Sequence, residues 1–140
     1  MQNKVVTKWK GNTLFESDNP SGLTLNIDTK TEMGGSGEGL RPKALMLSSL
    51  AGCSGLDVIF ILKKMRVDLK DFSIDTIGHL TDDVAAIYHT VDLTYHFYGD
   101  NLDMSKLEKA VDLSVNKYCG VMTMFRNFAT INIQIENHQL

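Results

Sequence analysis

The chain is poor in several residue types, and each scarcity narrows what it can be. It holds two cysteines and two prolines in 140 residues. The cysteines form no Cys-x-x-Cys and the four histidines no His-x-x-x-His, so no metal-ligand spacing is present and neither a metal nor another cofactor is expected. The few prolines and a hydrophobic content of 43% argue against disorder. The formal net charge is only -3, and no basic patch suited to phosphate backbones stands out, so a nucleic-acid partner is not expected. No uninterrupted apolar run reads as long enough to span a bilayer, so no membrane partner is expected. Met1-Gln2-Asn3-Lys4-Val5 lacks the apolar segment of a leader peptide, and a cytoplasmic location is expected. Thiols there are kept reduced, so a paired cysteine is more readily catalytic or redox-active than a permanent staple.

A chain of this length suits one domain with a real core, residues 1–140. Segments Val5–Lys10, Thr13–Glu16 and Leu23–Asp28 read as short strands, separated by Gly11-Asn12 and by Asp18-Asn19-Pro20-Ser21-Gly22, both turn chemistry. The glycine-rich stretch Met33–Gly39 has no phosphate-loop pattern and reads as a mobile loop or one that covers a site. Pro42 suits the first turn of a helix running to about Arg66, apolar on all sides from Ala44 to Leu62 and therefore expected to be surrounded by protein. Gly52 and Gly55 are costly in a helix interior, and close backbone approach or a bend is their expected use.

Two longer strands follow, Phe72–Thr81 and Ile87–Tyr98, expected as an antiparallel pair wet on one side. In the second, His89, Val91, Leu93, Tyr95 and Phe97 alternate with polar residues. A helix from about Met104 to Tyr118, with Ser105 and Glu108 as a capping box, precedes a short helix Val121–Phe128 and a last strand built on Ile131, Ile133 and Ile135. The order predicts an α+β fold with helices on one face of a curved, largely antiparallel sheet. His89 and His96 fall on opposite faces of one strand, so His79, His89, His96 and His138 read as surface or strand-packing residues.

Cys53 and Cys119 remain. Each lies beside a glycine in an apolar helical segment. The residues leave two readings open: inert core cysteines, or a pair meeting in a small pocket. Cys119 can head the short helix, which favours its thiolate; Cys53 lies mid-helix, with Asp57 one turn away opposing ionisation.

Arg41-Pro42, the run Ala44–Leu50, Ala51-Gly52-Cys53, Asp57-Val58-Ile59 and Leu62–Met65 resemble the cysteine-bearing helix of the OsmC/Ohr family, the osmotically inducible and organic hydroperoxide resistance proteins. Tyr118-Cys119-Gly120-Val121 resembles its second cysteine motif, and Ala129–Glu136 its closing strand. The resemblance implies curved, mostly antiparallel sheets with central buried helices in an intertwined homodimer. It also implies a thiol-dependent peroxidase in which Cys53 attacks an organic hydroperoxide, Cys119 resolves the product as a disulfide and a dithiol reductant restores both. The family's activating arginine and glutamate have no counterpart: no arginine precedes Arg41, and Lys43-Ala44 stands in the glutamate's place. The alternative is a non-catalytic dimer that binds a small apolar ligand.

Overall fold

The computed structural model describes all 140 residues, which fall into two compact units, Met1–Met46 and Leu47–Leu140. In the first, Gly11 and Asn12 take positive φ (104° and 48°), the conformation that glycine and asparagine adopt most readily. Their turn folds β1 (Thr7–Trp9) back on β2 (Phe15–Asp18), and β3 (Thr24–Ile27) pairs antiparallel with β2. Just beyond β3, Asp28 is 3% exposed. Its carboxylate accepts hydrogen bonds from Thr13 Oγ1 (2.6 Å), Ser36 Oγ (2.6 Å), Ser36 N (2.9 Å) and Thr29 N (2.7 Å). These bonds, the Ser36 hydroxyl foremost, hold its carboxyl well below the usual range. Glu38 N also donates to Ser36 Oγ, and Leu40 bridges to Ile27. The glycine-rich stretch is thus tied down at Ser36 by an aspartate, not the free loop its composition suggests.

Helix α1 (Pro42–Lys64) carries Lys63 and Lys64 in its last turn, complementing the dipole. Its fully buried residues are Leu50, Ser54, Val58 and Leu62, one stripe at four-residue spacing. The expectation of burial on all sides fails within one chain: Leu56 and Phe60 are each 62% exposed and Ile59 is 41% exposed. The expectation about length fails too, for these 23 residues are long and apolar enough to cross a membrane by length and composition. Here the buried stripe makes α1 a core helix. Gly55 brings its backbone close to the next strand: a Cβ there would lie 3.3 Å from Ile74 Cδ1. Gly52 faces open space.

The second sheet is ordered β4-β5-β6. Strands β4 (Asp71–Leu80) and β5 (Tyr88–Gly99) are antiparallel as expected, but β6 (Thr130–Gln139) runs parallel to β5. A β-bulge after His79 sets Leu80 opposite Tyr88, leaving His89 as the extra residue. Tyr88, not His89, therefore joins the buried face with Val91, Leu93, Tyr95 and Phe97.

Helix α2 (Met104–Leu113) starts at Asp103, whose carboxylate accepts from Ser105 N (3.0 Å) and Ser105 Oγ (2.7 Å). The cap is this aspartate and not the Ser105–Glu108 box, because Ser105 already lies inside the first turn. The chain then widens into a π-helical turn, Ser114–Tyr118, and α3 (Gly120–Arg126) follows. Leu107, Ala110, Val111, Met122 and Phe125 close one hydrophobic core with the α1 stripe and β5.

Gly78 shows how tightly this core meets the sheet. A Cβ there would lie 2.4 Å from the Tyr88 ring and 3.1 Å from Leu47 Cδ1. Gly78→Ala should destabilise the protein by about 1–3 kcal/mol, the usual range for overpacking. Urea unfolding measures it, and an unchanged midpoint would contradict the packing.

Candidate redox site

The site is built where α1, β5 and the π-turn converge. Ser54 sits in the apolar stripe of α1, and its buried hydroxyl must find a partner. It finds two: Tyr95 OH on β5 at 2.6 Å and Ser114 Oγ on the π-turn at 2.8 Å. Ser114 Oγ also lies 3.3 Å from Ser54 O and 3.1 Å from Asp57 Oδ2. A carboxylate only accepts, so the Ser114 hydroxyl donates to Asp57, and one acidic side chain terminates a chain of three hydroxyls.

This cluster fixes both cysteines. Cys53 is the residue before Ser54, and Cys119 follows the π-turn that begins at Ser114. Cys119 has an extended backbone (φ -78°, ψ 101°) and caps α3, its Sγ accepting from Met122 N at 3.3 Å. The two thiols are neighbours: Cys53 interacts directly with Cys119. They are also unequal. Cys53 is half-buried and Cys119 is 2% exposed, and both are free thiols.

The cap favours the Cys119 thiolate, as expected for a helix start, but it loses. Burial first, then the Cys53 thiol, with the Asp57 charge adding less, pushes the Cys119 pKa up to about 12 against the helping Met122 amide. Tyr95 is likewise pushed up to about 12, mainly by burial, with Cys119 and Asp57 adding to the effect; the Ser54 hydrogen bond and the Arg126 charge oppose it. Cys119 and Tyr95 therefore both hold their protons well into the alkaline range. Arg126 itself is exposed and donates to Asn116 Oδ1 at 3.0 Å.

Ser54, Tyr95 and Ser114 were not singled out from sequence. Their signal was present but faint. Tyr95 brings an aromatic hydroxyl between Leu93 and Phe97 on the buried face, and Ser54 occupies the buried spacing between Leu50 and Val58. A buried tyrosine hydroxyl requires a partner, yet only folding shows which.

The arrangement defines a class of protein first: an α+β fold that brings two thiols of unequal exposure together beside a buried hydroxyl cluster. The family model described as OsmC-like protein matches residues 35–134, and the chain belongs to that family. It is 29% identical over 130 residues to Protein YhfA of Escherichia coli K12, covering 92% of this chain and 93% of that protein. The crystal structure of a hypothetical protein from Aquifex aeolicus VF5 superposes with a TM-score of 0.88 at 30% identity, covering 100% of this chain and 98% of that one. An organic hydroperoxide resistance protein OsmC from Legionella pneumophila shares the fold, with a TM-score of 0.71 at 17% identity over 97% of both chains.

The two raised pKa values fix a pH dependence. An unfolded chain ionises cysteine near pH 8.5 and tyrosine near pH 10, whereas the folded chain holds both protons longer. Their stabilising contribution is complete below about pH 8.5 and is lost as pH climbs toward about 12. Unfolding free energy should therefore decline through the alkaline range, and Cys119→Ser should flatten the first part of that decline. Chemical denaturation from pH 7 to 11 tests this, and a slope identical in the variant would contradict it.

Proposed function

We propose that the chain is a thiol-dependent peroxidase acting on organic hydroperoxides through Cys53 and Cys119. One observation carries the reading: two cysteines far apart in sequence interact in the fold, the first half-buried and the second sealed. Membership of the OsmC/Ohr family points to a peroxide-stress role, and two structural relatives, from Legionella pneumophila and Bacillus subtilis, are organic hydroperoxide resistance proteins.

The asymmetry supports a division of roles in this reading. Cys53 is the sulfur a peroxide can reach, and its thiolate attacks the distal oxygen of ROOH, giving Cys53 sulfenic acid and, after protonation, ROH. Cys119, held as a thiol until then, gives up its proton and attacks the sulfenic sulfur. Water leaves and a disulfide forms. A dithiol reductant returns both sulfurs to thiols by exchange. When the Cys119 thiolate forms, the Met122 amide is already in place to stabilise it.

Family members are generally dimeric, and we assign this chain to a homodimer in the cytoplasm. A second copy accounts for the apolar face of α1 that its own chain leaves open at Leu56, Ile59 and Phe60. A second reading, a dimer that binds a small apolar ligand without turnover, is favoured by the high pKa of Cys119 and by Lys43-Ala44 at the place of the family glutamate.

Consumption of tert-butyl hydroperoxide with dithiothreitol separates the two. Wild type should turn over, Cys53→Ser should lose at least about 10³-fold in rate, and Cys119→Ser, whose sulfenic acid must be reduced by dithiothreitol directly, should turn over more slowly than wild type and form no intramolecular disulfide. Intact turnover in Cys53→Ser overturns the assignment of the attacking sulfur, and no thiol consumption in wild type leaves the binding reading. Light scattering should give twice the chain mass, and Phe60→Asp should shift it toward the monomer.

A further inference from the structure

The face of the second sheet turned away from the hydrophobic core carries a group that the redox chemistry does not use. Parallel pairing of β5 and β6 sets His96 opposite Glu136 and Tyr98 opposite His138. Glu136 and His138 are two residues apart and share a face. The result is three potential ligands within a few ångströms: His96 Nδ1 lies 3.0 Å from His138 Nε2 and 3.5 Å from Glu136 Oε2, and His138 Nε2 lies 3.6 Å from the same carboxylate oxygen. All three residues are half-buried.

We propose that His96, Glu136 and His138 form a binding site for a divalent transition-metal ion of the zinc class, with Asp75 orienting the first ligand. The spacing suits such an ion. Atoms 3.0–3.6 Å apart leave room for a metal about 2.0–2.2 Å from each, the ordinary Zn–N and Zn–O lengths, just off the plane through the three donors with outer positions open. The donor set of two imidazoles and one carboxylate suits zinc, nickel or ferrous iron better than calcium or magnesium.

The surroundings prepare the ligands. Asp75 Oδ2 on β4 lies 3.1 Å from His96 Nε2. A carboxylate accepts only, so His96 Nε2 carries a proton, which leaves Nδ1, on the side of Glu136 and His138, as the nitrogen that would meet an ion. This is the carboxylate–histidine arrangement that orients metal-binding imidazoles. The Tyr98 ring stacks on His138 (centroids 4.5 Å apart, 15° between planes) and restrains it. Without the ion, His96 Nδ1 and His138 Nε2 share one hydrogen bond, so one of the two carries the proton.

The test uses Zn²⁺ and Co²⁺ alone on the reduced full-length protein. Competition with a chromophoric chelator should give one Zn²⁺ per chain. His138→Gln and His96→Gln should each weaken binding at least about 100-fold, and Asp75→Asn by about 10–100-fold. The Co²⁺ adduct should show visible d–d bands without the near-ultraviolet charge transfer of a thiolate ligand, and Zn²⁺ should shift the ring resonances of His96 and His138 while leaving His89 unmoved. Absence of zinc binding, unchanged affinity in His138→Gln, or a thiolate band lost in Cys53→Ser would overturn the proposal.

Discussion

The Ser54 hydroxyl is the contact on which the second unit turns. It reaches a strand on one side and a helical turn on the other, 2.6 Å from Tyr95 and 2.8 Å from Ser114. Hydrophobic burial drives α1 onto the sheet but is non-directional and does not specify how far the helix slides or rolls. A buried hydroxyl that must be satisfied does specify it, since an unpaired one costs about 1–3 kcal/mol. Because Cys53 precedes Ser54 and Cys119 follows the turn of Ser114, the bonds that set the register of the core also set the meeting of the thiols.

Environment then differentiates two chemically identical side chains. Burial keeps Cys119 protonated even though it caps a helix, while Cys53 stays within reach of solvent. Reagents in solution therefore meet the two sulfurs unequally, Cys53 before Cys119. Around the two sulfurs the polar groups are the hydroxyls of Ser54, Tyr95 and Ser114 and the carboxylate of Asp57.

Much of the architecture was legible in the residues. Alternation along β5 and β6, proline at the start of α1 and the Gly11-Asn12 turn each have a local cause, and local causes can be read from local sequence. The failures were non-local. A helix apolar on every side looks the same whether its own chain or a second copy covers it, so Leu56 and Phe60 were expected inside. The bulge after His79 shifts which of Tyr88 and His89 faces the core, and nothing in the alternation announces an extra residue. Asp28 gathers bonds from Thr13 and Ser36 across a turn and a loop, so composition alone made the glycine stretch look loose. The two thiols could be placed side by side only through family resemblance, and the His96–His138 contact depends on a parallel strand pairing that spacing does not encode.

The π-helical turn at Ser114–Tyr118 has a consequence for how such a site arises. A π-turn holds one residue more than a regular helical turn, and each residue advances a helix by about 100°. Deleting a single residue from this segment would return it to ordinary winding and carry the downstream sulfur around the axis, away from its mate. The extra residue of this one turn is thus the spacer that sets which way Cys119 faces around the helix axis.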